Sequence, residues 1–106
     1  MRTAITFAPV VLAASLAATA GFAGGEGDRS LGQYLSSECV TCHQITGRYE
    51  GIPPIVGWPN TIFIEIMGEY RAKKRANPIM QTIAVQLSEE EIAALAAYFG
   101  SLRPVN

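Results

Sequence analysis

Cys39-Val40-Thr41-Cys42-His43 constrains this chain more than any other stretch. Two cysteines three positions apart stand about one helical turn apart, so both thiols can face one side of a flat macrocycle. Each can form a thioether with one haem vinyl group, and His43 is then placed to bind iron through an imidazole nitrogen. The spacing Cys-x-x-Cys-His is the attachment pattern of a c-type haem. The chain holds two Cys and one His in all, so its soft ligands are spent within five residues. Other uses of two cysteines fit less well. A thioredoxin-like pair belongs in a strand–helix–strand setting, and no such pattern is evident. A zinc site takes four ligands where three exist. A structural disulfide gains most from closing a longer loop. The expected cofactor is one covalent haem c.

Residues 1–23 read as a cleavable signal peptide. Arg2 supplies the positive start, and residues 5–16 form a short apolar run containing Ala8-Pro9-Val10-Val11-Leu12-Ala13-Ala14. Small-residue cleavage sites follow at Ala18-Thr19-Ala20 and Gly21-Phe22-Ala23. An uncleaved anchor is the alternative, but the run is short for a span, so no stable membrane span is expected after cleavage. Export to the periplasm suits the cysteines, because haem is joined to this pattern outside the bacterial cytoplasm. The remaining residues, 24–106, make one small domain. A chain of that size is near the limit for burying an adequate core alone, and a bound haem supplies a large apolar plate. Loss of Arg2 from eight Lys and Arg leaves a balance of −2 against nine Asp and Glu. That near-balance argues against nucleic-acid binding.

Helical periodicity covers most of the domain. Asp28 or Ser30 can cap a first helix, in which Leu31, Tyr34, Leu35 and Cys39 recur at helical spacing. Residues 44–58 read as a loop marked by Gly47, Gly51, Pro53, Pro54 and Gly57. Asn60 or Thr61 opens a second helix with Ile62, Phe63, Ile66, Met67 and Tyr70 on one face. Asn77-Pro78 reads as a break. Ser88-Glu89-Glu90-Glu91 is a capping box whose acidic residues suit the positive end of a helix dipole. Ile92, Leu95, Ala96 and Phe99 form the stripe that this last helix buries, and Gly100 is placed to stop it. Ala93, Ala94, Ala96 and Ala97 leave room for another helix to cross closely.

With these elements in order, residues 24–106 resemble the class I cytochrome c family along nearly their whole length. The likeness rests on Cys39-x-x-Cys42-His43, on Pro53-x-Ile55-x-Gly57, on Asn77-Pro78-Ile79-Met80, and on Leu87 to Ile92 with Ala97-Tyr98-Phe99. It implies an all-α fold, three or more helices packed around one covalently bound haem. It implies that the Pro53 carbonyl accepts the proton on the second nitrogen of His43, and that Leu95 and Tyr98 meet the first helix. Where the family often has Gly and an aromatic residue, eight and four places before the first Cys, this chain has Leu31 and Leu35. Gly32 and Tyr34 stand one place off, so a differently packed helix crossing is expected. The run from Gly51 through Met80 also resembles the cytochrome subunits of flavocytochrome c sulfide dehydrogenases. That likeness implies an electron-accepting subunit beside a flavoprotein dehydrogenase.

Met67 and Met80 compete for the distal iron position. Met67 lies mid-helix on the apolar face, where methionine usually fills core. Met80 follows Pro78 in what reads as a loop, from which a thioether can reach the far haem face. His43 and Met80 are therefore the expected metal ligands, and thioether ligation raises the reduction potential. Asn77 suits a hydrogen bond to the Met80 sulfur and equally a turn. Trp58 and Tyr49 suit haem propionates and equally ordinary packing. Arg48 suits a propionate or solvent. Arg71, Lys73, Lys74 and Arg75 suit an acidic partner or a solvated helix end. The expected function is periplasmic one-electron transfer as the cytochrome subunit of a flavoprotein sulfide dehydrogenase. A free diffusible carrier to another redox protein is the alternative. A haem enzyme or gas sensor with an open iron position is the alternative of another class.

Overall fold

The computed structural model describes residues 2–11, 27–48 and 51–104. Most of the proposed signal segment, and Tyr49, lie outside the described residues. The described elements are all helical: α1 Arg29–Leu35, α2 Ser37–Val40, α3 Asn60–Arg71, α4 Pro78–Val85 and α5 Glu89–Ser101. No described helix is long and apolar enough to cross a membrane.

Asp28 starts α1 by accepting from the Ser30 and Leu31 N–H groups at 2.9 and 3.2 Å. These are donors that the first turn of a helix leaves without a partner. Ser36 interrupts the hydrogen-bond ladder but keeps helical dihedrals, so α2 continues nearly in line. The expected single first helix is thus two short ones. α3 opens at Asn60, one of the two expected starts, with Pro59 at the cap position and no side chain capping it. Phe63 and Met67 are the buried residues of α3, while Ile62 is 44% exposed. Ser88 and Glu91 make both bonds of the capping box on α5, at 3.1 and 3.0 Å.

The core gathers Phe63 and Met67 of α3, Ala84 of α4, and Ile92, Leu95, Ala96 and Phe99 of α5. Ile55 and Val56 of the long loop join it. Phe99 stacks on Phe63 with ring centroids 6.1 Å apart, and Trp58 meets the edge of Phe63 at 6.5 Å. Full burial of a side chain such as Phe99 contributes about 1.5–3 kcal/mol.

α1 and α5 cross in close contact, and Gly32 makes that possible. A Cβ there would overlap the carbonyl of Ala94 and approach the Tyr98 Cβ at 2.8 Å. Gly32 therefore serves the crossing although it stands one place from the position the family resemblance points to. Tyr34 is 80% exposed and takes no part in it. Gly100 does not stop α5, which runs on to Ser101. Its missing side chain admits Asn60 Oδ1 and the Trp58 carbonyl, which a Cβ would meet at 2.5 and 3.0 Å. The α3 start and the loop before it are thereby seated on the last turn of α5.

Candidate functional site

α2 ends within the five-residue motif. The Cys42 and His43 N–H groups both donate to the Cys39 carbonyl, at 3.1 and 2.8 Å, as the helix closes. That turn holds Cys39 and Cys42 one above the other as free thiols. Cys39 is half-buried against the core and Cys42 is exposed. Burial, and then the Glu38 charge, push the Cys39 thiol up to about 11. A thiol so placed is a weaker acid than a free cysteine, so its thiolate is harder to reach.

His43 Nδ1 donates to the Pro53 carbonyl at 2.7 Å. In the neutral imidazole a proton on Nδ1 leaves Nε2 as the nitrogen with a lone pair for a metal, and the bond fixes the ring. The loop of residues 44–57 has to double back to bring Pro53 under His43. It does so through turns at Gly47 and Gly57, with φ of +78° and +76°. Its far end is pinned by the Gly57 N–H donating to the Phe99 carbonyl at 2.9 Å.

Met80 lies in the first turn of α4, half-buried against the core, and not in a loop. Asn77 and Pro78 explain the difference. The pair that reads as a break in sequence is an N-cap and a proline at the first helical position. Asn77 Oδ1 accepts from the Met80 N–H at 3.1 Å, so its side chain is engaged with the backbone of Met80. Met67 is buried at 7% exposure in the core.

The structure thus brings His43 and Pro53 together and holds the two cysteines on one turn. Trp58 is packed against Phe63. Arg48 is exposed, its N–H donating to Thr46 Oγ1 at 3.4 Å. Arg75 is bound to Glu69 at 3.0 Å and lies over the Tyr70 ring, while Arg71, Lys73 and Lys74 are exposed. The tie between Gly57 and Phe99 carries no side-chain signal that sequence could reveal. No cluster of three or more His, Cys, Asp or Glu suited to a metal occurs among the described residues. Two thiols and one imidazole are nonetheless what covalent attachment of a haem uses, and a half-buried thioether is a ligand type that cytochromes c add.

The family model for cytochrome c matches residues 30–103. The chain belongs to the cytochrome c family. Its cofactor is covalent haem c, which supplies a one-electron iron centre when bound, and Cys39, Cys42 and His43 fit the family's attachment pattern. The chain is 30% identical over 110 residues to cytochrome c-552 of Acidithiobacillus ferridurans, a match covering 97% of this chain and 46% of that protein. It is 37% identical over 62 residues to the thiosulfate dehydrogenase electron acceptor of Stutzerimonas stutzeri, covering 56% of this chain and 29% of that one. The chain spans less than half the length of each of these curated relatives.

Proposed function

We propose that this cytochrome moves single electrons through one haem held by Cys39 and Cys42, with His43 and Met80 as iron ligands and Pro53 as the partner of His43. The His43–Pro53 hydrogen bond carries this reading, because it orients the imidazole and frees Nε2 in one stroke. Neither ligand need leave when the iron changes oxidation state, so reorganisation is small. Residues 1–23 serve as an export signal, residues 24–106 form the haem domain, and the working site is the periplasm.

The partner in this reading is a dehydrogenase of sulfur compounds, in its fullest form the flavoprotein sulfide dehydrogenase that the run from Gly51 to Met80 suggests. A relative named as a thiosulfate dehydrogenase electron acceptor supports the sulfur context. Exposure of Arg71, Lys73 and Lys74 supports a second reading, a diffusible carrier steered to an acidic partner.

Acid–acetone extraction tests the attachment. The pigment should stay on the polypeptide, and Cys42→Ala should leave it held through one bond. Pigment released from the wild-type chain into the organic layer would overturn the assignment of both cysteines.

A further inference from the structure

Pro53 is exposed, so the position of its carbonyl is set by how the two ends of its loop are held. The far end is pinned to Phe99 through Gly57, and the segment that follows α5 lies beside both Gly47 and Gly57. α5 gives way at Leu102 to extended backbone, φ −84° and ψ 150°. Leu102 packs against the core, and the chain then runs past Gly47 and Gly57, two of the three positive-φ glycines of the loop. A Cβ on Gly47 would stand 2.8 Å from Pro104 Cβ, 3.2 Å from Pro104 Cα and 3.0 Å from Val56 Cγ2. A Cβ on Gly57 would stand 3.5 Å from the Leu102 carbonyl oxygen and 3.7 Å from Pro104 Cδ. One proline ring therefore reaches both feet of the loop, and its fixed φ makes it a stiff strap.

We infer that Leu102–Pro104 is a clasp that sets the His43–Pro53 hydrogen bond, which makes Pro104 a positioning residue for the iron site. The inference rests on His43 being an iron ligand. The chemistry is that of an outer partner tuning a ligand. A short bond from the ring N–H to a carbonyl raises the donor strength of the imidazole and favours oxidised iron. A loosened loop lengthens that bond, weakens the donor and opens the ring N–H to water. Tail contacts far from His43 in sequence thereby reach the metal through one carbonyl.

The test uses the haem-loaded protein in three forms: a chain stopped after Ser101, Pro104→Gly, and Pro104→Ala, which keeps the Cβ that lies on Gly47. The readouts are exchange of the His43 ring N–H by NMR in the reduced protein, and the midpoint potential. The stopped chain and Pro104→Gly should exchange that proton about tenfold faster, as local opening does when holding contacts are lost. Both should also have a higher potential, with Pro104→Ala, which keeps the Cβ but loses the ring and its fixed φ, lying between them and the wild type. Should the stopped chain fail to load haem, Pro104→Gly alone carries the comparison. Unchanged exchange and potential in Pro104→Gly, with or without a lower melting temperature, would leave the tail purely structural and overturn the clasp. Absence of a haem-shifted His43 ring signal from the wild type would overturn the ligand reading instead, and the clasp with it.

Discussion

Two methionines separate the chemistry from the packing. Met67 is buried between α3 and the core, so Met67→Ala should cost about 2–5 kcal/mol of stability and spare the iron. Met80→Ala should abolish the weak sulfur-to-iron charge-transfer band of the oxidised protein and lower the potential. Loss of the band in Met67→Ala and its survival in Met80→Ala would reverse the ligand assignment. What sequence reveals at this scale is the covalent pattern, because Cys39, Cys42 and His43 are adjacent and their geometry is local. Ile55 shows what sequence hides. It lies in what reads as a glycine- and proline-marked loop, yet it is 8% exposed, two residues before the Gly57 that is pinned to Phe99. Ile52 and Ile79, 41% and 72% exposed, are among the apolar residues left outside.

At the scale of the element, α3 ends in a way its residues do not advertise. Lys74 N–H donates to the Glu69 carbonyl at 2.8 Å and Lys73 N–H to the Tyr70 carbonyl at 3.0 Å, the two bonds of a Schellman cap. The left-handed position, φ 59°, falls on Lys73, where glycine is usual. Lys73→Gly should therefore stabilise the fold by about 0.5–1 kcal/mol, the relief of αL strain less the added freedom of the unfolded chain. In the same helix a Cβ on Gly68 would meet nothing within 4 Å. Gly68→Ala should stabilise by about 0.5–1 kcal/mol through helix propensity alone. Chemical denaturation of both variants measures this, and a loss of stability in either would refute the local account. α5 was legible because its cap is written in side chains, Ser88 with Glu91. The start of α4 was not, since Asn-Pro signals a stop and a start equally well until the next turn is seen. Gly100 misleads for a related reason. Its small size serves contact with Asn60, not termination.

For the whole molecule, the partner decides how docking responds to salt. The full chain carries a formal charge of −1, so no large overall field exists and local groups must act. If the cytochrome is a lasting subunit of a sulfur dehydrogenase, Ile52 and Ile79 should dominate the contact. The complex should then survive gel filtration from about 0.05 to 0.5 M salt. Elution as the lone haem chain at both extremes would favour the diffusible carrier, whose association through Arg71, Lys73 and Lys74 should slow as salt rises. The crossing of α1 on α5 bears on how such a molecule is made. Gly32 lies in α1 and Ala94 in α5, so the crossing cannot form until α5 has been made. Until then the thiols of Cys39 and Cys42 sit on an open chain. Once α1 and α5 have met, Cys39 is half-buried against the core, and burial makes its thiolate harder to reach. Haem loading should therefore be faster on the open chain than on the closed fold; equal loading rates for the unfolded and folded chain would refute this.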